Sequence, residues 1–333
     1  MDLSTRYLGL DLPHPIMPGA STMTNDMDVV RRLEDAGAAA ICLPSLFEEQ
    51  LISEHQSILE HEESVANSAA EATSFFPRLD DYKLGPESYL EHIRKTRAAV
   101  SVPVIASLNG TTGPGWAEYA KLIQDAGAHA IELNMFLVAR LDDTAAKVED
   151  RIVKIATDVR KEVSIPVAVK LTPFFSALGD LVGRVERAGI DGVVLFNRVY
   201  QPDIDIENLE MIRRGPLSSS AELLLRVRWV SILSGRSKCS FAVSGGVQDV
   251  TGVIKSVMAG AHAVQTVSAL MRHGPEYLKT MKDDLTRWLE EHEYASLKQM
   301  QGSMDLSRSP NPAALLRASY VTLVQSTMAS VGS

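Results

Sequence analysis

Short continuous apolar runs alternate with helical periodicities along most of the chain. The runs lie at about 15–20, 38–43, 103–108, 129–134, 166–171, 191–196, 239–243 and 262–267. They read as strands buried on both faces. Between them, residues 26–36, 86–99, 115–126, 145–163, 177–188, 220–234, 247–259 and 275–292 carry apolar residues at spacings of three and four. That is the period of a helix with one buried face. Eight strand–helix units in 333 residues predict a (β/α)8 TIM barrel. A doubly wound open sheet is the alternative. It needs a glycine-rich fingerprint after its first strand, and HPIMPGASTM contains no G-x-G-x-x-G.

An internal repeat supports the barrel. EDAGAAAICL (34–43), QDAGAHAIEL (124–133), ERAGIDGVVL (186–195) and MAGAHAVQTV (258–267) each combine a helix end, a turn glycine and an apolar strand. Two further strands, VPVIASL and IPVAVKL, have proline near their start, where it is tolerated. Residues 44–85 and 197–219 are long insertions that leave the C-terminal ends of strands two and six, the active face of such a barrel. Residues 1–292 therefore read as a single barrel. Residues 293–333 read as a C-terminal extension that packs on the barrel or on a partner.

Composition narrows the function. A net charge of −9 argues against nucleic acid as a partner. Cys42 and Cys239 sit in apolar runs with no CxxC and no His/Cys cluster, so no metal centre is expected and a reducing compartment fits. No apolar run reaches the roughly 20 residues of a membrane helix, and the N-terminus lacks the features of a signal peptide. The expectation is a soluble, cytoplasmic protein.

The strand ends collect a polar ring. It comprises Gly19, Ala20 and Ser21; Ser107 and Asn109; Glu132 and Asn134; Lys170; Asn197 and Arg198; Ser244, Gly245 and Gly246; Thr266 and Ser268. Any one of these could simply meet water, but the whole ring suits a hydrogen-bonded ligand. SGGVQDV (244–250) puts two glycines at the seventh strand end before a helix. There, backbone N–H groups and the helix N-terminus attract an anion, and barrels of this kind commonly hold phosphate after strands seven and eight. Lys170, inside the apolar run VAVKL, needs a partner or a site. It could face a flavin mononucleotide, act as a Schiff-base amine, or snorkel to solvent.

The motifs HPIMPGAS, SLNGTT, IELN, VAVKLTPFFS, LFNRVYQPDID, SGGV and SALMRHGP, in this order, resemble the class 1 dihydroorotate dehydrogenases, most closely the dihydroorotate dehydrogenase-like branch. The similarity runs from about Leu3 to about Gly274, with a weaker match in the tail. The resemblance implies a barrel with one FMN across its C-terminal face, a small-molecule substrate and a role in pyrimidine biosynthesis. It places Ala20, Ser21, Ser45, Asn109, Asn134, Lys170, Phe196, Gly245, Gly246, Val267 and Ser268 around the flavin. It places Asn67, Asn134, Asn197 and Arg198 around the substrate, with Lys170, Asn134 and Asn197 nearest the chemistry. It also implies a homodimer and leaves room for a redox protein partner.

Two positions depart from the family pattern. Pro44 stands where the family has a lysine after strand two, and Leu137 stands where it has a Cys or Ser base. Leucine cannot remove a proton. Replacement bases could come from Arg140, Asp142 or Asp143, or from His55 or Glu71 in the first insertion. Arg198 could hold a substrate carboxylate or pair with Asp203 or Asp205. The expected function is an FMN-dependent oxidoreductase acting on a CH–CH bond of dihydroorotate or a related dihydropyrimidine. The alternatives are a flavin-free lyase or epimerase using Lys170, and a catalytically silent flavoprotein subunit.

Overall fold

The computed structural model describes residues 1–47, 86–109, 114–198, 201, 203–212 and 216–331. Its core is a parallel sheet of eight strands: β1 (Ile16–Pro18), β2 (Ile41–Phe47), β3 (Val104–Asn109), β4 (Ala130–Asn134), β5 (Val167–Leu171), β6 (Gly192–Leu195), β7 (Ser240–Ser244) and β8 (Ala263–Thr266). The ladder runs β1–β8–β7–β6–β5–β4–β3–β2. The Ala39 N–H donates to Ile16 O at 3.1 Å, joining the chain before β2 to β1 and nearly closing the barrel. Helices α1 (Met27–Asp35), α2 (Pro86–Ala99), α3 (Pro114–Asp125), α4 (Ala145–Glu162), α5 (Leu178–Arg187), α6 (Leu223–Leu233) and α7 (Val250–Ala259) precede the strands that follow them. The short α8 (Ser268–His273) and the long α9 (Tyr277–Glu291) follow β8. This is the (β/α)8 TIM barrel that the periodicity predicts.

β2 departs from expectation. The apolar run suggests 38–43, but the strand extends to Phe47 and carries Pro44 within it. The register with β3 shifts between Cys42 and Ser45. An irregularity of this kind tolerates a residue with no N–H to donate. The sequence pattern also missed the antiparallel pair Thr5–Tyr7 and Leu10–Leu12. Its Tyr7, Leu8 and Leu12 pack against interior residues Met17, Ala40, Cys42, Ile105, Ala130, Ala168, Val194, Ala242 and Ala263. The alanines leave a lumen that this N-terminal pair fills, as close packing requires. A second small hairpin, Asp203–Asp205 with Glu210–Ile212, lies in the second insertion. Both cysteines are buried free thiols, and burial pushes Cys239 up to about 11.

The repeat has a structural meaning beyond its turns. Gly37, Gly127, Gly189 and Gly260 all take positive φ where a helix ends. Two residues later, His129, Asp191 and His262 each grip the preceding odd strand twice. Their backbone N–H groups donate to Val104 O, Val167 O and Phe241 O at 2.8, 2.9 and 2.7 Å. Their side chains accept the N–H of the same three residues at 2.9, 2.9 and 3.0 Å. Three residues before the glycine, Glu34, Gln124 and Glu186 accept from the Ser101, Ser164 and Ser237 segments ahead of the same strands. The repeat thus staples the N-terminal face of the barrel, leaving the opposite face for chemistry.

The first repeat has Ala39 where the others have an acceptor, and His14 supplies it. Its Nδ1 accepts from the Ile16 N–H at 3.2 Å, so Nε2 carries the proton that reaches Gly37 O at 2.6 Å. Burial lowers its pKa from 6.5 to about 4, against the opposing effect of the Gly37 bond. A folded-state value below the unfolded one stabilises fully above pH 6.5, and that stabilisation is lost as pH falls toward 4. The gap corresponds to about 3 kcal/mol. His14→Gln keeps a donor and an acceptor but cannot titrate. Urea unfolding at pH 7 and pH 4.5 is expected to show a smaller acid loss in that variant than in the wild type. Equal losses would exclude this role for His14.

The first half of the extension is docked. Leu297 N–H donates to Asp2 O, Gly302 N–H to Val257 O, and Gln301 Nε2 to Ala261 O, at 2.9, 3.0 and 2.9 Å. Among the described residues, no helix is long and apolar enough to cross a membrane.

Candidate active site

Alternation along the strands sets the site. In β4, β5 and β8, inward-facing Ala130, Ala168 and Ala263 are each followed two residues later by Glu132, Lys170 and Gln265. Period two puts those three polar side chains on the same inner surface, one layer nearer the C-terminal face. There they close a triangle. Lys170 Nζ donates to Glu132 Oε1 and Gln265 Oε1, both at 3.0 Å, and Gln265 Nε2 donates to Glu132 Oε2 at 2.5 Å. Glu132 and Gln265 are 1% exposed and Lys170 6%. The buried charge therefore has its partner within the barrel wall, as its cost demands. Beneath it, burial and then the Glu132 charge push the Tyr7 hydroxyl well above its usual range.

A chain of amides and hydroxyls runs beside the triangle. Asn197 Nδ2 donates to Asn134 Oδ1 at 2.5 Å, and Asn134 Nδ2 donates to Ser45 Oγ at 3.2 Å. Ser45 and Ser107 share a hydrogen bond of 2.8 Å. Ser107 is fully buried, so it supports the site from within the wall rather than joining an exposed ring. Asn197 follows the cis peptide Leu195–Phe196.

These groups open into a cavity of about 240 Å³. Of the residues expected at a flavin or substrate, Ala20, Ser45, Asn134, Lys170, Phe196, Asn197, Arg198, Gly245, Gly246, Val267 and Ser268 line it together. Ser21 and Asn109 stand at the ends of β1 and β3 but do not line it. Asn67, His55 and Glu71 lie outside the described residues.

The rim at β7 and β8 is rich in donors. Gly245 and Gly246 take φ of +89° and +82°. Ser218 brings its hydroxyl to 2.8 Å from Ser268 Oγ and accepts from the Gly246 N–H at 3.3 Å. Below this turn, the buried Arg226 donates from Nε to Ser244 O at 3.0 Å and from Nη1 to Glu222 O at 2.7 Å. Its Nη2 also lies 3.8 Å from Glu222 Oε2, so its charge is shared with that carboxylate. The helix that follows does not offer a free N-terminus, contrary to expectation. Asp249 caps α7 by accepting from the Gly252 N–H at 3.1 Å, and a carboxylate there competes with any ligand anion.

The residues present fit a flavin mononucleotide. The β7–β8 rim joins hydroxyls to backbone N–H groups with no carboxylate in the lining among the described residues, and polar groups from β4, β5 and β8 meet the cavity on its inner side. Lys170, Gln265 and Asn134 would meet the polar edge of the ring, and Gly245, Gly246, Ser218 and Ser268 the phosphate.

Among the described residues, the candidate bases do not converge on the cavity. Leu137 packs against the core. Asp143 accepts from the Arg140 N–H at 3.0 Å and from Arg151 at 3.3 Å, and these contacts hold its carboxyl below the usual range. Asp142 and Arg140 are exposed, and none of the three lines the cavity. Asp203 and Asp205 accept from N–H groups of their own hairpin, at 2.8 Å from Ile204 and 3.0 Å from Asn208. Neither pairs with Arg198 among the described residues. Arg198 instead lines both the cavity and an adjoining one of about 610 Å³ that Phe174 and Arg226 also border. The sequence reading missed Gln265 and Ser218. Gln265 carried the same signal as Lys170, a polar side chain within an apolar strand. Ser218 carried none, because only folding brings its loop to β8.

The family model for dihydroorotate dehydrogenase matches residues 2–289. The catalytic subunit of dihydroorotate dehydrogenase B (NAD(+)) of Thermoplasma volcanium is 25% identical over 311 residues, covering 90% of this chain and 98% of that one. The corresponding subunit of Methanocaldococcus jannaschii is 26% identical, over 90% of this chain and 97% of its own. That of a Geobacillus strain is 32% identical over 186 residues, 54% of this chain and 59% of its own. A family match across all eight barrel strands, on a barrel that assembles the shared motifs around one cavity, means that this chain belongs to the dihydroorotate dehydrogenase family.

Proposed function

We propose that the protein is an FMN-dependent oxidoreductase acting on a CH–CH bond of dihydroorotate or a related anionic dihydropyrimidine. The observation that carries this reading is the buried Lys170–Glu132–Gln265 triangle facing the same cavity as the Asn134–Asn197 amide pair. When bound, FMN supplies the redox chemistry. The chain's own residues do the rest. Lys170 presents a fixed positive charge, Asn134 and Asn197 orient a cyclic amide, and the β7–β8 rim holds phosphate. Arg198 places a cation at the mouth, in a site where Pro44 has removed the family's lysine. The names of the relatives, catalytic subunits of an NAD(+)-using enzyme, support a separate protein as electron acceptor.

The geometry disfavours Schiff-base chemistry, because Lys170 Nζ is already engaged by Glu132 Oε1 and Gln265 Oε1, both at 3.0 Å, and is not free to attack a carbonyl. A specific observation favours a second reading. Among the described residues no Asp, Glu, His or Cys lines the cavity, and none of its serines (Ser45, Ser218, Ser244 and Ser268) comes from the segment after β4 where the family's base is expected, which suits a flavoprotein that does not oxidise a dihydropyrimidine itself.

The test is the visible spectrum of purified protein after FMN addition and desalting, followed by anaerobic addition of dihydroorotate. Near-stoichiometric flavin bands that bleach support the first reading. Bands that persist support the silent subunit, and a colourless protein excludes both. In a flavin-bound protein, Arg198→Met is expected to weaken orotate binding about 10–100-fold, as a charge-assisted contact is lost. Titration of the flavin bands measures it, and unchanged affinity would remove Arg198 from the substrate site.

A further inference from the structure

The cavity of about 610 Å³ that adjoins the flavin-side one has no part in the proposed reaction. Asn197 and Arg198 line both. The rest of its wall brings together separate parts of the C-terminal face. Phe174 comes from the loop after β5, Gln201 from the second insertion, and Leu225 and Arg226 from the first turn of α6. The volume is that of a site for a small organic molecule. Its apolar side is open, with Phe174 70% and Leu225 39% exposed. An aromatic ring left in water at a cavity wall is placed to pack against a planar ligand.

The cavity is cationic although the chain carries a net charge of −9. Among the described residues its wall has two arginines, Arg198 and Arg226, and one carboxylate, Glu222. That carboxylate is already engaged. Its Oε1 accepts from the Ser219 N–H at 3.1 Å, and its Oε2 lies 3.8 Å from Arg226 Nη2. Arg226 is buried, and its Nε and Nη1 donate to backbone carbonyls. Arg198 is exposed and meets no carboxylate among the described residues. We infer that this cavity is a second small-molecule site, and that it takes an aromatic monocarboxylate. The Arg198 guanidinium meets the carboxylate, whose planar fork it matches, and Phe174 and Leu225 meet the ring. A phosphate suits the site less well. It brings a second negative charge, with one unengaged cation among the described residues to face it. The N–H groups ahead of α6 that could otherwise hold it are closed by the capping box of Ser219 and Glu222. Binding here requires no flavin and does not depend on the proposed oxidation.

Isothermal titration of the purified chain with 1-naphthoate tests this, with 1-naphthamide as the neutral isostere. Naphthoate is expected to bind about 10-fold more tightly than naphthamide. Arg198→Met should remove that advantage, lowering naphthoate affinity about 10-fold and leaving naphthamide affinity unchanged. Phe174→Ala should weaken both probes about 5-fold, the effect of losing one aromatic contact. Phe174 lines this cavity and not the flavin-side one, so its effect locates the ligand. Both side chains are exposed, and the far-UV circular dichroism of each variant should match the wild type. Absence of binding at millimolar naphthoate would overturn the inference, as would equal affinity for the two probes. Naphthoate binding that Phe174→Ala leaves unchanged would overturn it by placing the anion outside this cavity.

Discussion

Replacing Lys170 by methionine is expected to destabilise the protein by about 3–5 kcal/mol, the usual cost of leaving one half of a buried ion pair uncompensated. Glu132 is 1% exposed, and among the described residues its two oxygens are satisfied by Lys170 and Gln265 alone. Without the ammonium, the carboxylate must take up a proton or draw water into the barrel. Pairing Lys170→Met with Glu132→Gln removes both charges and keeps an amide for Gln265, so most of the lost stability should return. The chemistry should not, because no cation would then face the cavity from β5. Urea unfolding of the two single variants and the double variant gives the coupling. A Lys170→Met cost below about 1 kcal/mol would mean that the triangle contributes little to stability. Recovery of flavin reduction in the double variant would mean that Lys170 serves only structure.

Gly246→Ala is expected to cost about 2–4 kcal/mol and to abolish FMN retention. The residue has φ +82°, and an added Cβ would fall 2.4 Å from the Leu223 nitrogen and 2.9 Å from its Cα. Both contacts are with backbone, so no side chain can yield. The turn or the start of α6 must move, and with it the Gly246 N–H that meets Ser218 Oγ. Gly115→Ala is the matched control. An added Cβ there meets nothing within 4 Å, and alanine is the better helix former near the start of α3. Its expected effect is neutral to slightly stabilising. Thermal unfolding and the flavin absorbance of desalted protein report both quantities. Retention of flavin by Gly246→Ala would remove the diglycine turn from the proposed phosphate site.

Much of this fold was legible in the sequence because a barrel strand buried on both faces is a continuous apolar run. The helices that cover it keep their three-and-four spacing for the same reason. The ends of α2, α3 and α4 fall within a residue of the periodicity, whereas β2 was misjudged. The apolar run places its end at Leu43, yet the shift of register against β3 carries the strand through Pro44 to Phe47. The N-terminal pair was missed because TRYLGLDL is too short to show a period. Its role as a plug follows from the small residues of eight other segments, which no local pattern reveals.

The sequence by itself determined the strand–helix alternation, the glycines that end four helices, and the polar residues that strands four to eight deliver to one face. These are local properties, set by side-chain period and backbone sterics. Tertiary structure alone decided what those residues do there. Lys170 and Gln265 stand 95 positions apart in the chain and 3.0 Å apart across the barrel. Ser218 reaches Ser268 over 50 positions. His14 supplies the acceptor that Ala39 lacks. A curved sheet brings inward residues of distant strands into one layer, and in that low-dielectric layer each buried polar group must find its partner.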